Sequence, residues 1–207
     1  MNELLSEQFR PKTFEEMMLP ENLKIRFQNM FDKRQVMNML LYGKPGAGKT
    51  SVARIFCNKD YFDVIEINGS LHTSIEEVRN KIIGFSTSMS LYSHPKICFI
   101  DEADYLSKNA QASLRGVIEQ SSRTCRFIFT ANELSKIHSA LSSRLIPICF
   151  DLTSTQTAEA LGTYTQKVIE KMKSISPNAN EDRIKTIIHL HYPDYRTISN
   201  FLEFEFS

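Results

Sequence analysis

The chain is 207 residues long, room for one full α/β domain and a small second one. A hydrophobic share of 42% excludes wholesale disorder, and 25 Lys and Arg against 24 Asp and Glu leave no bulk charge that marks a nucleic-acid binder, so any such site must come from local placement. Four widely spaced cysteines without a C-x-x-C pair exclude a zinc module and a disulfide framework; no apolar run approaches the roughly 20 residues of a membrane span, and residues 1–10 carry no secretion-signal pattern.

Residues 1–20 read as an arm interrupted by Pro11 and Pro20, with Phe9-Arg10-Pro11-Lys12, Phe14, Met17 and Met18. Residues 21–34 read as a helix with Leu23, Phe27, Met30 and Phe31 on one stripe. Residues 37–42 form a first strand whose near-continuous apolarity suits burial on both faces of a parallel sheet. Gly43-Lys44-Pro45-Gly46-Ala47-Gly48-Lys49-Thr50 follows, with the spacing G-x-x-x-x-G-K-[ST] between that strand and a helical run over 51–58. Glycines let the backbone wrap closely around an anion, and successive N–H groups with the helix N-terminus then point at phosphate. Lys49 is placed to reach terminal phosphates and the Thr50 hydroxyl to hold magnesium.

A second strand spans 61–67 and turns at Asn68-Gly69-Ser70; Thr73 with Glu76, or Ser74 with Glu77, forms a capping box for a helix burying Ile75, Val78, Ile82 and Phe85. A third strand at 96–101, a helix at 107–120 with Ala110, Leu114 and Val117 inward, a fourth strand at 125–130, a short helix at 135–143 and a fifth strand at 146–150 complete the alternation. This order implies right-handed crossovers and a parallel five-stranded sheet. Strand signals end near residues 151–153, where a domain boundary falls, and 155–174, 180–191 and 193–206 read as three helices. Three of the cysteines sit in apolar runs and read as buried free thiols of a reducing compartment.

The third strand delivers Asp101 and Glu102 to the carboxyl edge of the sheet, Asp101 for a second magnesium contact and Glu102 as general base for an attacking water. Asn132, after the fourth strand, suits either a turn or an amide that holds the water or γ-phosphate. Arg144 reads as a helix-end arginine bonding carbonyls or as one projecting toward a neighbouring subunit to neutralise a phosphoryl transition state. Arg196 stands at a helix start, against the dipole; a surface residue and a phosphate ligand across the domain boundary are its two readings. Arg79, Lys81, Lys108, Asn109 and Arg115 lie off their apolar stripes, as a solvated face or a phosphate-tracking surface. The five histidines show no metal-ligand spacing.

Together these motifs resemble the small ATPase subunits of sliding-clamp loaders, AAA+ proteins that include replication factor C small subunits and the ATPase subunit of tailed-phage loaders. The resemblance covers essentially the whole chain. Phe9-Arg10-Pro11-Lys12-Thr13-Phe14 resembles the family's Tyr-Arg-Pro-Lys-Thr entry beside adenine, which implies a base pocket of Glu7, Gln8, Phe9, Arg10 and Met18. By the same likeness Gly43, Pro45, Gly46, Ala47, Gly48, Lys49, Thr50 and Ser51 hold ATP, Thr50 and Asp101 hold Mg2+, and Asp101-Glu102-Ala103-Asp104 is the Walker B box. Asn132 matches sensor 1, Arg196 the sensor 2 arginine of a lid, and Arg144 a finger acting in trans, although Ser143-Arg144-Leu145 replaces the family's Ser-Arg-Cys. Residues 78–82 and 111–115 resemble DNA-facing helices. The implied organisation is a nucleotide-binding core over 1–151 and a lid over 152–207, with the family's helical collar absent. The implied activity is a DNA-stimulated ATPase. It would work with other AAA+ subunits in a hetero-pentamer, a ring-shaped sliding clamp and primer-template DNA, in a host cytoplasm for a phage protein or a nucleus for a eukaryotic one, with no membrane. A nucleotide-holding subunit that never hydrolyses and a remodeller of branched DNA are the competing readings.

Overall fold

Five short runs pair in parallel in the order β2-β3-β4-β1-β5 in a computed structural model that describes residues 4–71, 75–88, 90 and 94–206. The capping residues Thr73 and Ser74 lie outside the described residues. Strand β1 (Met39–Tyr42) lies between β4 (Cys125–Ala131) and β5 (Ile146–Cys149); β3 (Lys96–Asp101) and β2 (Asp63–Asn68) extend the sheet beyond β4. Tyr42 aligns with Ala131, so Gly43 and Asn132 leave the sheet side by side. Two strands start later than their apolar runs. Asn38 is spent on bridging, its side-chain oxygen accepting from Phe127 N and its carbonyl from Ile146 N. Tyr61 and Phe62 donate their N–H groups to the Asn58 carbonyl, closing a turn before β2.

The residue alternation of the strands builds two cores. Leu40, Cys98, Ile100, Phe127 and Phe129 face α4 (Ile75–Thr87), α5 (Lys108–Gln120) and α6 (Ser139–Ser142). Met39, Leu41, Ile97, Phe99 and Ile128 face α2 (Glu21–Asp32) and α3 (Lys49–Phe56). Phe14 of the arm joins this second core, its ring 4.9 Å from Phe56 and 5.8 Å from Phe27. The expected helix over 135–143 is broken into a 3₁₀ turn, Leu134–Lys136, and α6. Buried Gln111 causes the break: its Oε1 accepts His138 N at 2.6 Å, and the His138 ring caps α6 by accepting from Ala140 N. Pro147 sits on β5, the edge strand, where a missing N–H is tolerated.

Helices α7 (Ser154–Ile175), α8 (Glu181–His191) and α9 (Tyr195–Phe206) enclose a third core of Val168, Met172, Ile184, Ile188, Ile198 and Leu202. Thr153 and Gln156 form a capping box on α7, and Asn180 caps α8. The arm is divided between the two bodies. Its short helix α1 (Leu5–Gln8) buries Leu5 in the lid core with Phe9 alongside, and Lys171 of α7 holds the Gln8 carbonyl; Phe14 and Met17 belong to the sheet. Cys57, Cys98 and Cys125 are buried and Cys149 is exposed. Burial pushes the Cys57 thiol up to about 12 and the Cys125 thiol up to about 11.

Candidate nucleotide site

The loop between β1 and α3 turns through left-handed backbone at Gly46 (φ 77°) and Gly48 (φ 91°). At Gly46 the requirement is spatial as well: a Cβ there would lie 2.0 Å from Asp194 Oδ1, because the lid seats the start of α9 against the loop. Asp194 is itself pinned, accepting from Thr197 N at 3.0 Å and Thr197 Oγ1 at 2.8 Å. No side chain caps the N-terminus of α3, so its first-turn N–H groups stay open to an anion.

Lys49 is buried, and its amine donates to Gly43 O at 2.6 Å, Lys44 O at 2.8 Å and Asn132 Oδ1 at 3.2 Å. All three acceptors are neutral. Burial pulls the lysine below its ordinary range, and the fields of Asp104, Asp151 and Asp101 act against that shift. A buried amine with no direct carboxylate partner fits a polyphosphate. Beside it Asp101 Oδ1 accepts from Thr50 Oγ1 at 3.0 Å and from Thr130 Oγ1, and Thr130 Oγ1 accepts Glu102 N at 2.9 Å. Thr50 and Asp101 thus meet where a hard cation would be shared by a hydroxyl and a carboxylate. Among the described residues no cluster of three or more His, Cys, Asp or Glu side chains could hold a metal ion.

Glu102 has φ 56° and ψ 45°, left-handed backbone that costs a non-glycine residue about 1 kcal/mol or more. Its carbonyl is packed against Gly69, where a Cβ would come within 2.5 Å. Asn132 is held on its other side by Asp104, whose Oδ2 accepts Asn132 N at 3.1 Å.

A cavity of about 580 Å³ unites these groups. Of the residues singled out from sequence, Phe9, Arg10, Met18, Pro45, Gly46, Gly48, Lys49, Thr50, Ser51, Asp101, Glu102, Asn132 and Arg196 line it. Gly43 and Ala47 back the loop instead: Gly43 offers its carbonyl to Lys49, and Ala47 is buried in the α2–α3 core. Glu7 and Gln8 do not reach the wall; Glu7 Oε1 pairs with Arg10 Nη2 at 2.6 Å, and Gln8 offers its carbonyl to Lys171.

Arg144 is outside the cavity, and its guanidinium is bonded within its own chain. Its Nε donates to Glu119 Oε1 at 2.7 Å, Nη2 pairs with the same oxygen, and Nη1 bonds Ala140 O at 2.9 Å and Ser143 Oγ at 2.8 Å. Arg115 Nε approaches that Glu119 oxygen at 3.5 Å. The Arg144 bond, first of all, holds the Glu119 carboxyl below its ordinary range. Arg79, Lys81, Lys108, Asn109 and Arg115 are exposed on α4 and α5, the helices layered on one sheet face. Lys108 also donates to Lys136 O at 2.7 Å.

Three residues of the site escape sequence reading: Thr130, Asp151, whose Oδ1 accepts Lys44 N at 2.8 Å, and Asp194; Asp104 is read there only as the last residue of the Walker B box, with no role of its own. The only local signals are the hydroxyl inside an apolar strand and the Asp two residues before Arg196.

The model of the AAA family, ATPases associated with various cellular activities, matches residues 39–152, more than half of the chain. The chain belongs to the AAA family. The matched stretch runs from β1 to the end of the sheet and includes the loop, Asp101, Glu102, Asn132 and Arg144. Over 97% of its length the chain is 30% identical to the replication factor C small subunit of Archaeoglobus fulgidus, covering 63% of that protein. Over 95% it is 30% identical to replication factor C subunit 5 of Homo sapiens, covering 58%, and over 93% it is 30% identical to the sliding-clamp-loader large subunit of Escherichia phage RB69, covering 61%. The chain thus spans about six-tenths of the length of these relatives. Among solved structures, the Thermotoga maritima RuvB Holliday junction branch migration motor superposes with a TM-score of 0.69 over 94% of the chain at 19% identity, covering 64% of that chain; this likeness is one of fold. The family match covers the sheet and its loop, and residues of α7 and α9 line the same cavity from outside that matched stretch.

Proposed function

We propose that the chain is an ATPase subunit of a DNA sliding-clamp loader, acting with Mg2+, partner AAA+ subunits in a pentameric assembly, a ring-shaped clamp and primer-template DNA. One observation carries the ATPase reading: a single cavity brings Lys49, Thr50, Asp101, Glu102 and Asn132 on the sheet edge under Arg196 of the lid. The likeness to replication factor C small subunits along nearly the whole chain supports the partners.

On this reading the loop's N–H groups and Lys49 hold the phosphates, and Phe9, Arg10 and Met18 wall the base. Thr50 and Asp101 are the residues that would hold Mg2+, whose charge neutralises phosphate oxygens in transfer. Glu102 polarises the attacking water, and Asn132 orients it. Arg196 adds positive charge from the lid, and the closed lid excludes bulk water. Arg144 of one subunit supplies a further cation to the neighbour's γ-phosphate, for which it must give up Glu119. The basic faces of α4 and α5 track the DNA backbone.

The test is the ATPase rate with partner subunits, clamp and primed DNA, in wild type and in Glu102→Gln. The variant should bind ATP normally and lose turnover; full turnover removes Glu102 from its role. A zero wild-type rate with every partner present points to a nucleotide-holding structural subunit. Stimulation by junction DNA without a clamp points to a remodeller of branched DNA.

A further inference from the structure

Asp104 has no part in the roles above, yet it is built into the site. It sits on the 3₁₀ turn Ala103–Tyr105 directly after Glu102. That turn is rigid: Gln111 Nε2, fully buried, donates to Ala103 O at 3.2 Å and Leu106 O at 3.0 Å, and Tyr105 N closes on Glu102 O. From this platform Asp104 Oδ2 accepts the backbone N–H of Asn132 at 3.1 Å, across 28 residues of chain. Its other oxygen, Oδ1, is shielded from solvent with no hydrogen-bond partner, and the residue lines the nucleotide cavity. A shielded carboxylate oxygen without a partner is costly and calls for a reason.

Asn132 is therefore gripped at two points, its amide oxygen by Lys49 and its backbone by Asp104. The two grips differ in what happens during turnover. The Lys49 amine is the group that phosphates claim, so its bond to the Asn132 amide is released as the site fills. The bond from Asp104 is made to the Asn132 backbone N–H, a different group from the amide oxygen that Lys49 holds. We propose that Asp104 is a positioning residue for ATP hydrolysis: its carboxylate fixes the Asn132 backbone so that the side-chain amide stays aimed at the attacking water after Lys49 turns to the phosphates. The inference rests on hydrolysis at this site and is independent of clamp loading.

A double-mutant cycle tests it in the full chain with its partners present. Asp104→Ala should lower kcat ten- to a hundredfold, the range a misplaced catalytic group produces, with ATP affinity within twofold of wild type. Asp104→Asn keeps an oxygen acceptor for the same N–H and should restore most of the rate. In an Asn132→Ala background, Asp104→Ala should add little, because the two act as one unit. Three results overturn the proposal: a kcat within twofold of wild type for Asp104→Ala, a full additional loss on top of Asn132→Ala, or an ATP affinity that falls in step with kcat. A wild-type chain without turnover refutes the ATPase reading instead. Asp104 is then decided by amide exchange of Asn132 with a non-hydrolysable ATP analogue bound: protection lost in Asp104→Ala and kept in Asp104→Asn supports the grip, and equal protection in both overturns it.

Discussion

Gly69→Ala isolates the placement of Glu102 from every other feature of the site. Gly69 N donates to Asp101 O at 2.8 Å, and its added Cβ would lie 2.5 Å from Glu102 O and 3.2 Å from the Glu102 carbonyl carbon. Gly69 needs no left-handed backbone, so the whole cost is spatial. The obstacle is backbone, which cannot swing aside, and ordinary contact requires a separation of about 1 Å more. Glu102 has little room to yield. It is already left-handed, its N–H is fixed to Thr130 and its carbonyl to Tyr105 N. Overpacking of this kind costs about 1–3 kcal/mol of stability. If Glu102 is the general base, as proposed, a shift near 1 Å there should lower kcat by about 10², equivalent to ~2.7 kcal/mol of barrier. The groups proposed to bind phosphate sit on the loop and α3, away from the clash, so ATP affinity should hold within twofold. Steady-state ATPase rates, fluorescent-nucleotide titration and thermal melting measure the three quantities. Gly84→Ala is the control: nothing lies within 4 Å of its Cβ in exposed α4, so it should leave kcat unchanged and stabilise by about 0.5–1 kcal/mol. A folded Gly69→Ala chain with kcat within twofold of wild type would refute the reasoning.

At Gly46, alanine meets both φ 77° and the Asp194 carboxylate, so the lid must lift from the loop; nucleotide titration should show ATP affinity reduced more than tenfold, and an unchanged affinity contradicts the lid seat. Glu119→Gln removes the carboxylate that binds Arg144 on its own subunit; the subunit concentration for half-maximal ATPase should fall while the affinity of each chain for ATP stays constant. Thiol reagents should label Cys149 and spare Cys57, Cys98 and Cys125 until the chain unfolds. The buried thiols also set an alkaline limit. Both folded and unfolded chains keep Cys57 protonated below pH 9.0; above it only the unfolded chain ionises until about 12, so melting temperature should fall across that window, and Cys57→Ala should flatten the fall.

Much of this architecture is legible in local patterns. A strand followed by Gly43 to Thr50 and a helix specifies the loop, because each requirement is met within a few residues. Asp101 and Glu102 are legible because an apolar run must end at the sheet edge. What sequence spacing misses is set by contacts between distant segments. Thr130 matters only because β4 lies between β1 and β3, which brings its hydroxyl to Asp101. The helix expected over 135–143 fails because Gln111, buried on another element, takes the His138 N–H. Arg144 shows the same limit in a side chain. Its place near the sheet edge follows from the motif, but the direction of its tip depends on Glu119, 25 residues earlier.

Apart from Lys49 on the loop and Glu16 of the arm, the charges that line the cavity divide by segment. Asp101, Glu102 and Asp104 come from the sheet edge, whereas Lys167, Lys171 and Arg196 come from the lid and Arg10 from the arm between them. Arg10 Nη1 is shielded without a hydrogen-bond partner, and Arg196 stands in the first turn of α9, against the helix dipole. Both arrangements cost energy in the protein alone. On the proposed reading a bound nucleotide would offset both, its base beside Arg10 and its phosphates between the loop and Arg196. Any ligand that prefers the closed arrangement shifts the chain toward closure by its difference in affinity for the two states. The arm strengthens this link, because Leu5 is anchored in the lid core and Phe14 in the sheet core. The bound polyanion would therefore lock three segments into one rigid body. Arg144 is the exception: it lies outside this cavity, and on the proposed reading it would reach a phosphate only on another subunit and only after leaving Glu119.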